Sequence, residues 1–168
     1  MKTAIVTDSG SGLNKQQADA LGIYYLPLQI IVNDNMYLDG VDIQVEQIYE
    51  MLKQGEMPTT SMPPMGIIEE LFHKLKKDGY EDVIAIPLTS GLSSTSSVMH
   101  AVAKECELKL HIIETYSTCN IQCYLAKCAQ QLVKQEVAAE EIVKRLQDSV
   151  AHSGTLIIPN DLQHLKRG

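Results

Sequence analysis

The sequence predicts an α/β fold, a mainly parallel sheet with helices on both faces. Three observations carry that prediction. Short apolar runs alternate with segments of helical periodicity, the pattern of βαβ units. The run Val83, Ile84, Ala85, Ile86 is unbroken, as a strand buried on both faces requires. Three hydroxyl-rich segments punctuate the chain, and two of them directly follow such runs. Open α/β sheets present their binding loops there, at the carboxyl ends of the strands.

Residues 2–7 read as a buried strand, and residues 14–21 as a short helix that Gly22 stops. Residues 24–32 are apolar and β-branched and read as one strand, with Pro27 marking an edge or a bend. Asn33, Asp34 and Asn35 signal a turn, after which residues 36–38 return as a hairpin arm. Asp42 is the expected cap of a helix over residues 45–54, with Ile48, Met51 and Leu52 on one face and Gly55 at its end. Residues 58–64 read as a loop. Ile67, Ile68, Leu71, Phe72 and Leu75 then repeat at helical spacing until Asp78 and Gly79. Residues 82–86 form the clearest interior strand. A Ser/Thr loop follows, then a helix through Val98, Met99, Val102 and Ala103. Residues 110–113 read as a strand, 120–135 and 139–151 as helices, and 155–158 as a final strand.

The 168 residues are enough for one domain with a real core. A net charge of −7 argues against nucleic acid and anionic membranes as partners, because phosphate binding needs a positive surface. No segment approaches the roughly 20 apolar residues of a membrane span, and no signal peptide is recognisable. The expected location is the cytoplasm. Four cysteines without a secretion signal read as free thiols. Cys119, Cys123 and Cys128 lack ligand-spaced histidines, so small core residues describe them better than a metal site.

The three hydroxyl segments are Val6-Thr7-Asp8-Ser9-Gly10-Ser11, Pro58-Thr59-Thr60-Ser61-Met62-Pro63 and Thr89-Ser90-Gly91-Leu92-Ser93-Ser94-Thr95. None holds Lys, Arg or His. Their chemistry is neutral hydrogen bonding, suited to the head of a small anion with help from helix N-terminal N–H groups. Capping alone also accounts for each segment taken singly: Ser93 or Ser94 ahead of the Val98 helix, Ser61 ahead of the Ile67 helix, and Asp8 and Ser9 ahead of the helix near Asn14.

These segments, with residues 38–43 (LDGVDI) and 161–168 (DLQHLKRG), resemble the DegV family of bacterial fatty-acid-binding proteins, in order and over essentially the whole chain. The resemblance implies a DegV-type amino-terminal α/β lobe over residues 1–168, with the family's second lobe absent. It implies a protein that is no enzyme and needs no cofactor or metal. Such a protein holds a long-chain fatty acid and presents its carboxylate to a separate fatty acid kinase, which forms the acyl phosphate used in phospholipid synthesis. The implied head-group residues are Thr60, Ser61 and Ser93, with Ser9 and Ser94 as further candidates. Ser94 stands where the family has Gly, Met62 where Gln is common, and Glu114-Thr115 where Asp-Ser is usual. Met62 and Met65 sit where a tail would pass.

The alternative is a serine hydrolase. Gly91-Leu92-Ser93-Ser94-Thr95 approaches the G-x-S-x-G elbow, with Asp161 and His164 following in triad order. Thr95 replaces the second Gly, and the other histidines (His73, His100, His111, His152) fall within or beside regular elements rather than beside Ser93.

Overall fold

The computed structural model describes residues 2–156 and 158. Four strands form a parallel sheet in the order β2 (Tyr24–Leu26), β1 (Thr3–Asp8), β6 (Asp82–Ile86), β7 (Lys109–Ile112). Alternate residues of the two central strands point to opposite faces, and both faces are covered. On one side Ile5, Ile84 and Ile86 pack against Ala18 of α1 (Lys15–Leu21), Leu125, Ala126 and Ala129 of α5 (Asn120–Lys134), and Ile142 and Leu146 of α6 (Ala139–Ala151). On the other, Ala4, Val6, Val83 and Ala85 meet Ile68, Phe72 and Leu75 of α3 (Met65–Lys77) and Met99, Val102 and Ala103 of α4 (Thr95–Glu105). The predicted α/β architecture is therefore the observed one.

Local chemistry explains most boundaries. Asn14 and Gln17 form a reciprocal capping box at α1, and Gly22 closes that helix at φ 78°. Asn33 and Asp34 take φ values of 49° and 63°, the left-handed pair that a tight hairpin between β3 (Gln29–Val32) and β4 (Asn35–Leu38) demands.

Four expectations are corrected. Residues 24–32 are two strands in two sheets, not one. β2 pairs with β1, and β3 belongs to a separate antiparallel sheet in the order β4, β3, β5 (Thr59–Ser61). Pro27 lies in the break, since it has no N–H for a ladder. Second, the segment expected to be a loop contains β5 (Thr59–Ser61), paired with β3. Third, Asp42 does not cap α2 (Val45–Lys53). Its carboxylate accepts from Leu38 N–H (2.9 Å), and the cap position is Gln44. Leu52 also turns outward, while Ile48 and Met51 pack on Ile30, Val32 and Ile43. Fourth, neither Ser61 nor Asp8 caps the helix assigned to it. Pro64 precedes α3, and the Asp8 side chain caps the 3-10 turn Ser9–Ser11.

The final strand over residues 155–158 falls partly outside the described residues, and Thr155 and Leu156 are not in a strand. Asp161, His164 and Arg167 lie outside the described residues altogether. All four cysteines are free. Cys106 is buried as a core residue, and Cys123 and Cys128 pack at the core margin, but Cys119 is exposed. Among the described residues no helix is long and apolar enough to cross a membrane.

Candidate functional site

β1 leads through α1 to a neighbour on one side, while its other neighbour, β6, arrives much later in the chain. The carboxyl ends of β1 and β6 therefore flank a topological switch point, where the connecting segments diverge and leave a crevice. Both hydroxyl loops that follow strands emerge there.

Asp8, at the end of β1, holds this junction together. Its Oδ2 accepts from Leu88 N–H (2.8 Å) and its Oδ1 from Gly10 N–H (3.0 Å). Gln122, on the first turn of α5, donates from Nε2 to Asp8 Oδ1 (2.8 Å) and to the Ile86 carbonyl (2.9 Å). Thr7 Oγ1 donates to the same carbonyl (2.7 Å). Asp8, Thr7 and Gln122 are fully buried. Burial pushes the Asp8 carboxyl above its ordinary value, against the pull of its three donors, Leu88, Gln122 and Gly10. A Cβ on Gly10 would stand 2.9 Å from Asp8 Oδ1 and 3.1 Å from Leu88 Cβ, so the turn needs glycine. Nothing in the sequence singled out Gln122. It lies in a helical pattern whose polar residues read as surface.

Ser9 is also buried. Its Oγ accepts from Leu28 N–H (3.1 Å), which fixes the crossover between β2 and β3. Glu114 secures the third hydroxyl loop from the far side, accepting from Ser90 N–H (2.9 Å) and Tyr116 N–H (3.0 Å). Desolvation alone would raise the Glu114 carboxyl, but donors on Ser90, Tyr116 and Thr89 outweigh it and hold the group below its ordinary value. The loop that carries Ser93 is thus clamped between two carboxylates.

Beside this clamped frame lies a cleft of about 330 Å³, lined by Leu28, Thr60, Ser61, Met62, Leu88, Leu92, Ser93 and Ser94. The second and third hydroxyl segments, far apart in sequence, form its two lips. Thr60 and Ser61 come from the edge strand β5. Pairing of Gln29 with Ser61 and Ile30 with Thr60, and a bond from Gln29 Nε2 to the Met62 carbonyl (2.7 Å), set its position. Ser93 Oγ lies 2.7 Å from Thr95 Oγ1 and accepts from Thr95 N–H (3.2 Å), at the start of α4. Ser94 Oγ donates to Met62 Sδ (3.4 Å), linking the two lips. The structure therefore brings Thr60, Ser61, Ser93 and Ser94 together, and leaves Ser9 behind them, one bond from the lining residue Leu28. Met65, expected beside a tail, is not part of the lining.

The lining is four hydroxyl residues and four apolar ones, without a charged side chain. Such a surface can take a polar head by hydrogen bonds and an apolar tail by contact. A larger hollow of about 630 Å³ lies at the opposite, amino end of the sheet, beside Lys2, Thr3, Asp82 and Glu140, away from the hydroxyl segments.

The model of the DegV family, described as an uncharacterised protein family, matches residues 2–168. The chain belongs to the DegV family. It is 33% identical over 169 residues to a DegV domain-containing protein of Halalkalibacterium halodurans, covering 99% of this chain and 60% of that protein. It is 32% identical over 171 residues to Protein DegV of Bacillus subtilis, covering 100% and 60%. The crystal structure of DegV, a fatty acid binding protein from Bacillus subtilis, superposes with a TM-score of 0.83 at 30% identity, over 90% of this chain and 54% of that one. The chain spans about 60% of the length of the curated DegV relatives it matches.

The hydrolase alternative gains nothing from the geometry. Ser93 is not among the residues with left-handed backbone, which the strained elbow requires, and its hydroxyl pairs with Thr95. Among the described residues the histidines engage elsewhere, His73 with Cys106, His111 with Asp82 and His152 with the Asp148 carbonyl, while His100 is exposed on α4.

Proposed function

We propose that this protein binds a long-chain fatty acid with its carboxylate at the hydroxyl cleft. Thr60, Ser61 and Ser93 hold the head group, Ser94 stands beside Ser93 on the same lip, and Ser9 fixes Leu28 behind the cleft. The observation that supports this reading most is the meeting of the second and third hydroxyl segments across an uncharged cleft that Leu28, Met62, Leu88 and Leu92 also line. The fatty-acid-binding relative from Bacillus subtilis, similar over most of this chain, points the same way.

The division of labour follows from magnitudes. Each buried CH₂ contributes about 0.8 kcal/mol, whereas a neutral hydrogen bond contributes about 1 kcal/mol net. The tail supplies affinity, and the hydroxyls orient the carboxylate. Orientation matters if a separate fatty acid kinase phosphorylates the bound head for phospholipid synthesis, and that is the partner we propose. The protein itself is a binding subunit without chemistry of its own. A cleft of about 330 Å³ is at the small end of ligand pockets. We therefore read the chain as the amino-terminal, head-group lobe of a longer architecture whose other lobe encloses the tail.

Solvent extraction and mass spectrometry of the purified protein, in its natural reading frame, test the proposal. A long-chain fatty acid near stoichiometry is expected. Titration with carboxyl-labelled palmitate should give a carboxyl resonance that moves on binding. Absence of any acyl chain, together with palmitate affinity unchanged by Thr60→Ala and Ser93→Ala, overturns it.

A further inference from the structure

The hairpin and α2 carry a second surface that the cleft does not use. α2 buries Ile48 and Met51 against the small sheet. Its adjoining face is apolar as well, yet it meets solvent: Val45 is 53% exposed, Tyr49 60% and Leu52 39%, with Val41 just ahead of the helix at 46%. At 3.6 residues per turn, Val45, Tyr49 and Leu52 fall within about 60° of arc, so they form one stripe. Isolated exposed apolar residues are ordinary, but a continuous stripe on a helix already anchored by another face is not.

The border of the stripe is predominantly acidic, and the one cation on it, Lys53, is paired with Glu50. Residues 33–57 contain six acidic side chains and a single basic one, Lys53, a net −5 of the chain's −7. Glu46 and Glu50 lie on the same helix beyond Tyr49, and Glu50 already occupies Lys53 (2.6 Å). An apolar centre with a charged rim is the anatomy of a protein interface, and tyrosine is a preferred anchor in such centres.

Charge selects the occupant. A second copy would oppose one acidic rim with another. Anionic bilayers and nucleic acids are repelled for the same reason. We infer that the outer face of α2 docks a protein partner whose contact surface is apolar at its centre and rimmed by Lys and Arg, with Tyr49 as the anchor. None of these residues lines the cleft, so the inference stands apart from the fatty acid reading.

A Leu/Lys amphipathic helical peptide is the probe, with its Leu/Glu counterpart as control, measured by fluorescence anisotropy and by amide chemical shifts of the protein. The cationic peptide should bind and shift the amides of α2, and the acidic peptide should not. Val45→Ser with Tyr49→Ser should weaken binding about tenfold or more. Glu46→Gln with Glu50→Gln should reduce its salt dependence. Both pairs are solvent-facing, so the circular dichroism of the protein should be retained. If the serine pair loses helix, Val41→Ser, outside α2, replaces it with a smaller expected loss. Equal affinity in the variants, shifts confined elsewhere, or α2-dependent binding to phosphatidylglycerol vesicles overturns the inference. So does a wild-type dimer, seen by sedimentation, that Tyr49→Ser dissociates.

Discussion

Two polar clusters sit a few residues apart at the carboxyl edge of the parallel sheet, and they are built on opposite terms. Around Asp8 the groups are buried and spend their hydrogen bonds on one another. At the cleft, Thr60, Ser61 and Ser94 are exposed, and Ser93 is half-buried beside Thr95. A buried cluster whose groups, Gln122 Oε1 apart, are already partnered fixes geometry. An exposed one still has hydrogen bonds to offer. The hydroxyl segments look alike in sequence, and only their surroundings sort them into frame and site.

The sharpest way to break this comparison is to truncate the frame. Asp8→Ala leaves Leu88 N–H, Gly10 N–H and Gln122 Nε2 without their shared acceptor, and should cost about 3 kcal/mol or more in urea unfolding. An unfolding midpoint close to wild type would show the cluster to be dispensable. Gly10→Ala comes next. Its methyl group collides with Asp8 and Leu88, and a loss of about 1–3 kcal/mol is expected by thermal melting.

Truncating the cleft should do the reverse. Thr60→Ala is expected to change stability by no more than about 0.5 kcal/mol while lowering fatty acid affinity about three- to tenfold, read by calorimetric titration. Ser93→Ala should lose similar affinity, with about 1 kcal/mol of stability through Thr95 N–H. Affinity that falls only in proportion to stability would erase the distinction between the clusters.

The smallest effect is in pH dependence, where the two clamping carboxylates have opposite signs. Asp8 is held above its ordinary value, so the native state keeps that proton longer than the unfolded chain does. Its contribution is full below about pH 4 and declines as pH rises, until Asp8 ionises in the native state as well. Glu114 is held below its ordinary value, so its contribution is present above about pH 4 and is lost as pH falls through its native value. Unfolding midpoints across acid pH should lose the first component in Asp8→Asn and the second in Glu114→Gln. Identical profiles for both variants would contradict this assignment.

The sequence made the parallel sheet legible because burial on both faces leaves a run such as Val83 to Ile86, and because Asn14 and Gly22 announce the ends of α1 chemically. β5 was illegible for a related reason. Thr59, Thr60 and Ser61 are exposed on a three-residue edge strand, so no apolar alternation marks them, and pairing with β3 alone makes them a strand. Gln122 escaped notice because a polar residue in an amphipathic helix looks solvated until the chain brings Asp8 beside it.

Local chemistry, then, was enough to name the architecture, most helix ends and the hydroxyl segments, since propensity, periodicity and capping act over a few residues. Tertiary structure alone decided that two of those segments face each other across one cleft while Asp8 and Ser9 turn inward. That choice depends on strand order and on the pairing of β5 with β3, contacts between residues far apart in the chain, which no short window of sequence encodes.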